Sequence, residues 1–201
     1  MPLIDRDQAV AALEPHLGAI FDILHGGLSD LHALPLEARR SFTPTTRAGM
    51  VHDFQITRAA RYFSEHQDVR VHELNKLFVF DIRQTVALRF KKFDTAFRSS
   101  NLSTGQVREF RGQVQLGGVD APSNLEAGYV LDPLEKEIIW AGIVCPNNDG
   151  VYWQVELKDS VTVNTVTDIF DKSDSQESGT TFKPKKTGLV IPITRDNNGV
   201  Q

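Results

Sequence analysis

The stretch IIWAGIVCPNNDGVYWQVEL, residues 138–157, has two apolar runs on either side of a cluster of turn-forming residues. Proline, asparagine, aspartate and glycine all favour turn geometry, and glycine takes a positive φ without steric cost. The pattern predicts a β-hairpin with strands near 137–144 and 151–157. Because side chains alternate between the two faces of a strand, we expect one face to be buried and to contain Ile139, Ala141, Ile143, Trp153 and Val155.

The residues before this hairpin extend the β pattern. Residues 126–131 have the composition of a strand that ends at the turn formers Asp132 and Pro133. Between residues 69 and 92, β-branched and aromatic residues alternate with polar ones, which predicts two or three strands. A loop or short helix is expected over 95–124, where glycine and serine are frequent.

The N-terminal part has a different periodicity. Apolar residues recur every three or four positions over residues 10–31, which is typical of one face of a helix. Pro15 and the pair Gly26-Gly27 interrupt this pattern, so we expect a kink or a break rather than one straight helix. A second helix is expected at about 45–66.

The predicted fold class is α+β, with N-terminal helices followed by a mainly antiparallel meander. Residues 1–68 form the helical part, and 69–170 form the β-rich part of the same domain. Residues 171–201 have few apolar positions before the run LVIPI, which predicts a flexible tail or an edge strand.

The composition limits the class of protein. A chain of 201 residues with 40% hydrophobic and 24% charged residues is typical of a globular domain. Its single cysteine, Cys145, cannot form an internal disulfide, which favours a cytoplasmic location. We expect no membrane association, because the start lacks a signal-peptide pattern and no apolar run reaches about 20 residues.

Known catalytic signatures give no assignment. The sequence has no Gly-rich phosphate loop, no Gly-x-Ser-x-Gly elbow and no His-Glu-x-x-His pair. The histidines are scattered rather than placed at metal-ligand spacing. We therefore expect neither a metal site nor a cofactor.

Charge is concentrated in one window of an acidic chain. The net charge is −4, yet residues 83–111 contain seven Lys or Arg residues and two acidic ones. A local excess of positive charge steers anionic partners. We therefore expect a phosphate-bearing ligand or an acidic partner to contact Arg89, Lys91, Lys92 and Arg98, while Phe90 and Phe93 enter the core. Arg89, Lys91 and Arg98 are expected to form a partly exposed basic surface.

Three further residues are candidates for proton transfer. His72, Glu73 and Asp81 lie on the strands that precede the basic stretch, and adjacent strands bring them towards it. A base, an acid and phosphate-binding cations are what a ribonuclease requires. The alternative is a solvated strand face whose basic side chains cover apolar surface with their stems.

The succession LRFKKFD, RSSN, AGYVLD, IVCPN and VYWQVEL, within residues 85–157, resembles an uncharacterised bacterial family. That family is encoded beside a helix-turn-helix and zinc-peptidase-like partner, in the manner of RosmerTA-type toxin–antitoxin or phage-defence pairs. The resemblance implies a bacterial cytoplasmic protein with a cognate antitoxin or neighbouring-gene protein as its partner. It implies no catalytic role for any residue.

Three functions remain open from the sequence. The first is a toxin-like effector that acts on RNA or a nucleotide through its basic surface. The second is a non-catalytic antitoxin or adaptor that binds a protein partner. The third is a nucleic-acid-binding module without catalysis, in which aromatic rings stack on bases.

Overall fold

The computed structural model describes residues 3–74, 77–99, 105–148 and 150–159, and the backbone of 189–193. The helices are α1 (Arg6–Leu13), α2 (Leu17–Ala33), α3 (Leu36–Ser41), α4 (Pro44–Phe63) and α5 (Gly105–Arg111), with a 3₁₀ turn at Glu14–His16. The strands are β1 (Val69–Leu74), β2 (Leu77–Ile82), β3 (Val86–Lys92), β4 (Ser123–Leu131), β5 (Ile138–Asn147), β6 (Gly150–Asp159) and β7 (Leu189–Ile193). The predicted α+β fold class is confirmed.

The N-terminal helices break at one of the two expected positions. Pro15 lies in the 3₁₀ turn between α1 and α2, as its missing N–H requires. Gly26 and Gly27, by contrast, lie inside the continuous helix α2, so the helix does not break there. A Cβ at Gly27 would lie 2.5 Å from Cγ of Gln55 in α4. The glycine therefore allows α2 and α4 to pack closely.

The seven strands form one sheet in the order β1-β2-β3-β4-β5-β6-β7. Neighbours are antiparallel except for β3 with β4 and β6 with β7, which are parallel. The segment between β3 and β4 includes α5, so the predicted loop or short helix at 95–124 contains a helix. The sheet is mainly antiparallel, as predicted, but it is not a simple meander.

The predicted hairpin is confirmed as β5 and β6, with Ile143 opposite Val155 and Cys145 opposite Trp153. One member of its expected buried face is wrong. The pairing of β4 with β5 shifts between Val130 and Leu131, so that Ile139 is the extra residue of a bulge. Its side chain is 57% exposed.

Helices α1, α2 and α4 share one core with the sheet. Apolar residues of α2 and α4 pack against inward residues of the central strands, including Leu24, Ala59, Phe63, Phe90 and Tyr129. The indole Nε1 of Trp153 donates to the carbonyl of Ile4 at 3.0 Å, which ties β6 to the N-terminus. None of the helices among the described residues is long and apolar enough to cross a bilayer.

The opposite face of the sheet is covered by α5. Phe110 of α5 is buried with Val79 and Ala87, and Phe93 is buried in a neighbouring cluster. Phe90 and Phe93 thus enter the core, as predicted. The run LVIPI forms β7 at one edge of the sheet, which agrees with the edge-strand expectation. Residues 160–188 and 194–201, the rest of the expected flexible tail, lie outside the described residues.

Candidate functional site

The cations of the 83–111 window are largely paired with carboxylates. Several of these pairs join residues that are far apart in the sequence. The pairs are Arg83 with Asp68 at 3.2 Å, Arg89 with Glu126, Lys92 with Glu135 at 2.7 Å, Arg98 with Asp94 at 3.1 Å and Arg111 with Glu126 at 3.2 Å. The positive charge that is concentrated in the sequence is therefore mostly neutralised in the fold.

Arg89 lies inside the protein rather than on a basic surface. Its side chain is 1% exposed, and its register partner on β4 is Glu126. The Nε atom of Arg89 donates to Oε1 of Glu126 at 3.0 Å, and the guanidinium carbon lies 3.9 Å from the centroid of the Phe110 ring. Burial lowers the pKa of Arg89, and the charge of Glu126 opposes this shift. The expectation that Arg89 is partly exposed is not met, because the guanidinium pairs with a buried carboxylate.

Arg111 extends this buried pair to the β5–β6 turn. Its Nη1 donates to Oε2 of Glu126 at 3.2 Å, and its Nη2 donates to the carbonyl of Gly150 at 2.7 Å. Glu126 thus holds β3, α5 and the hairpin in place through two arginines. We interpret this network as scaffold, since both oxygens of Glu126 are engaged by arginines; Nη1 of Arg89 is buried without a hydrogen-bond partner among the described residues.

A cavity of about 480 Å³ lies between α4 and the sheet. Binding pockets for small molecules are typically roughly 300–1,000 Å³. One stripe of α4 lines it at helical spacing, and side chains from β3, β4 and the β4–β5 turn line the other side. The lining residues are Pro44, Thr45, Ala48, Gly49, His52, Gln55, Lys91, Lys92, Tyr129 and Glu135. From Thr45 to Gln55 the α4 stripe extends about 15 Å.

Lys91 is the unpaired cation of this cavity. The registered pairs of β2 with β3 end at Phe80 and Leu88, so Lys91 lies where β3 has an open edge. No carboxylate of the described residues lies within ion-pair distance of Lys91. Burial and then the charge of Arg89 lower its pKa to about 8, against the opposing effect of Glu126. At neutral pH the ammonium therefore predominates, with a fraction of neutral amine.

Three neutral polar side chains accompany Lys91. Burial lowers the pKa of His52, and the nearby Lys91 charge lowers it further, so the imidazole is neutral at pH 7. The amide of Gln55 donates from Nε2 to the carbonyl of Leu24 at 3.1 Å, while its buried Oε1 has no hydrogen-bond partner among the described residues. Burial raises the pKa of Tyr129, which keeps its hydroxyl protonated. The cavity is therefore lined by a cation, a neutral imidazole, a neutral hydroxyl and the residue whose buried amide oxygen lacks a partner among the described residues.

Lys92 lies at the same cavity but has a fixed partner. Its Nζ donates to Oε1 of Glu135 at 2.7 Å, and Arg47 of α4 donates to Oε2 at 2.7 Å. These two hydrogen bonds lower the pKa of Glu135. The three side chains link α4 to the turn after β4 and hold that side of the cavity together.

The residues predicted for proton transfer are only partly brought together. Nε2 of His72 lies 3.9 Å from Oδ2 of Asp81, and Glu73 is exposed. The carboxylate of Asp81 is buried, and neither of its oxygens has a hydrogen-bond partner among the described residues. None of these three residues lines the cavity.

Most residues that line the cavity were not singled out by any pattern in the sequence. His52 and Gln55 lie three positions apart on α4, a spacing that places two polar side chains on one helix face. Tyr129 and Glu135 lie within and just after β4, where local pattern does not show that they approach α4. Arg98, predicted to bind phosphate, is exposed outside the cavity and pairs with Asp94.

Nothing in the described part of the chain forms a metal centre, since no three His, Cys, Asp or Glu side chains lie close enough together there. No protein-family model, curated protein or solved structure matches the chain. The candidate function therefore depends on the geometry of the cavity.

Proposed function

We propose that this protein binds a small anionic molecule in the cavity between α4 and β3. The observation that supports this most is Lys91, a cation without an ion-pair partner among the described residues, which lines a cavity of about 480 Å³. Lys91 is partly buried, and an ammonium withdrawn from water is costly unless an opposite charge lies beside it. An anionic ligand would supply that charge.

The pairing of the cations in residues 83–111 favours a small ligand over a nucleic-acid polymer. Binding along a nucleic-acid backbone needs several free cations, because each neutralised phosphate adds to the affinity. In the basic window, five cations are instead engaged by carboxylates of the protein itself. One free ammonium in a cavity matches a single phosphate or carboxylate group.

The unpartnered Oε1 of Gln55 gives the ligand a second feature. A buried carbonyl oxygen without a partner costs about 1–3 kcal/mol, which a donor group on the ligand would recover. The ligand is therefore a molecule with an anionic group for Lys91 and an N–H or O–H group for Gln55. A mononucleotide has both groups, which keeps the nucleotide-directed form of the toxin-like effector within this proposal.

A thermal-shift panel tests the proposal at pH 7. Inorganic pyrophosphate, a mononucleotide, a dicarboxylate and a single-stranded RNA would each be added to the full chain. A ligand that binds the folded state raises the melting temperature, so at least one small anion should do so. The shift should be lost in Lys91→Met and kept in Lys136→Met, a change to an exposed lysine outside the cavity. Stabilisation by RNA alone, with a steep dependence on salt, would instead support a nucleic-acid-binding module.

The toxin–antitoxin or phage-defence role is proposed as the biological context of this site. Growth after induced expression in a bacterium, with and without the neighbouring gene, is the matching experiment. We expect toxicity that the neighbour relieves and that Lys91→Met abolishes. Normal growth in every arm would favour the antitoxin or adaptor alternative.

A further inference from the structure

Lys91 differs from the other lysines near it in ways that matter for covalent chemistry. It lines the cavity and has no ion-pair partner among the described residues, whereas Lys92 in the same cavity is tied to Glu135 at 2.7 Å. Lys158 is exposed and lies 3.7 Å from Glu156. An amine acts as a nucleophile only when it has lost its proton, and an ammonium in an ion pair retains it.

We propose that Lys91 is a nucleophile that forms an imine with an anionic aldehyde or ketone bound in the cavity. This inference rests on the proposed function and names the substrate class of the same site. Two features of the surroundings favour the neutral amine: burial, and the guanidinium of Arg89 two residues away on the same strand. Desolvation and a neighbouring cation are the usual means by which proteins activate a lysine.

The reaction balances with the groups that line the cavity. The Nζ lone pair forms a bond to the carbonyl carbon, and the π electrons of the C=O bond move to oxygen, which takes up a proton. The nitrogen then loses a proton, the hydroxyl is protonated and leaves as water, and the resulting C=N⁺–H group loses a second proton to give the imine. No oxidant or reductant is needed, because amine and carbonyl yield imine and water.

Two side chains of the cavity, Tyr129 and His52, are candidates for the proton transfers of this reaction. The hydroxyl of Tyr129 stays protonated and is a donor to the developing oxygen, whereas the neutral imidazole of His52 accepts a proton. Both side chains line the same cavity as Lys91. Glu135 is less suited, because its two carboxylate oxygens are engaged by Lys92 and Arg47.

Reductive trapping with glyoxylate tests this inference. Glyoxylate is a small anionic aldehyde, and cyanoborohydride converts its imine into a stable carboxymethyl group that peptide mass spectrometry locates. With the full chain at pH 7.5, Lys91 should be modified about tenfold faster than the exposed Lys136 and Lys158, because more of its amine is neutral. The preference should vanish in denatured protein. Equal rates at Lys91 and at the exposed lysines of the folded chain would overturn the inference.

Variants and a competitor separate this inference from the proposed function. Lys136→Met, a change outside the cavity, should leave the labelling of Lys91 unchanged, and saturating pyrophosphate, which has no carbonyl group, should slow it. If pyrophosphate binds in calorimetry but Lys91 is not selectively trapped, imine chemistry is refuted and anion binding stands. If pyrophosphate does not bind and Lys91 is not trapped, both proposals fail.

Discussion

Lys91 and Arg89 lie two positions apart on β3, yet their charges have different surroundings. The guanidinium of Arg89 forms an ion pair with Glu126. The ammonium of Lys91 forms no ion pair among the described residues, and the charges of Arg89 and Glu126 act on it from farther away. The sequence places both in one basic stretch and gives no sign of this difference. It arises because Glu126, 37 residues after Arg89, is brought opposite it by the parallel pairing of β3 and β4.

The pH dependence of anion binding follows from Lys91. The charged form binds the anion, and its pKa in the free protein is lowered to about 8. Affinity should therefore be constant below about pH 7 and fall as the pH rises through 8 and the ammonium loses its proton. Calorimetry with pyrophosphate between pH 6.5 and 9.5 measures this fall.

Lys91→Arg is the matched control for that profile, because an arginine stays charged throughout this range. In the variant only the ionisation of pyrophosphate itself changes with pH, so the fall in affinity between pH 7 and 9 should be absent. The same fall in wild type and variant would show that the titrating group is not Lys91.

Glu126→Gln should destabilise the fold strongly. The change leaves the guanidinium groups of Arg89 and Arg111 without their shared carboxylate in a buried place. Removing one partner of a buried ion pair typically costs about 3–5 kcal/mol in the free energy of unfolding. Urea denaturation, followed by tryptophan fluorescence, measures the loss.

Glu156→Gln provides the comparison on the same sheet. Glu156 pairs with the exposed Lys158 at 3.7 Å, and such surface pairs contribute about 1 kcal/mol or less. We expect Glu126→Gln to lower the free energy of unfolding clearly more than Glu156→Gln does. Equal losses of less than about 1 kcal/mol would mean that the Arg89–Glu126–Arg111 network does not hold β3, α5 and the hairpin together.

At the level of elements, the contact between α2 and α4 positions one wall of the cavity. Gly27 of α2 lies against Gln55 and the carbonyl of Val51, where a Cβ would approach to 2.5 Å and 3.0 Å. Gln55 in turn lines the cavity. The glycine that looks like a helix breaker in the sequence is therefore what permits this packing.

Gly27→Ala should lower stability by about 1–3 kcal/mol, the usual cost of an overpacked contact. Gly49→Ala, in the interior of α4, is the matched control because its Cβ would meet no atom within 4 Å. That change should be neutral or stabilising by up to about 1 kcal/mol, since alanine favours helix. Thermal denaturation of both variants decides the matter. Only Gly27→Ala should lower the melting temperature, and a neutral Gly27→Ala would contradict the close packing.

Elements that depend on local pattern were predictable, and those that depend on distant contacts were not. The β5–β6 hairpin and α4 follow from turn residues and periodicity within a short window. The parallel pairing of β3 with β4 depends on a crossover through α5, and the exposure of Ile139 depends on a bulge in register with β4. Neither the parallel pairing nor the bulge can be recognised from the sequence of the residues around it.

At the scale of the whole molecule, the candidate site also depends on contacts between residues that are far apart in the sequence. The concentration of cations in residues 83–111 includes Lys91, but most of that charge is paired with carboxylates of the protein itself. The residues that complete the cavity come from α4, β4 and the turn after it, so only the assembled fold shows them together. The basic residues of this window therefore mostly form ion pairs within the protein, and Lys91 lines the cavity.

Isothermal titration of pyrophosphate into wild type, Lys91→Met and Lys136→Met at pH 7 tests the central claim most directly. We predict one saturable site per chain in wild type and in Lys136→Met. In Lys91→Met the affinity should fall about tenfold or more, because a hydrogen bond to a charged group contributes about 1.5–3 kcal/mol. Circular dichroism of the three proteins confirms that the fold is kept. Equal affinity in Lys91→Met and wild type, or no saturable binding to wild type, would contradict the assignment of the cavity as an anion site.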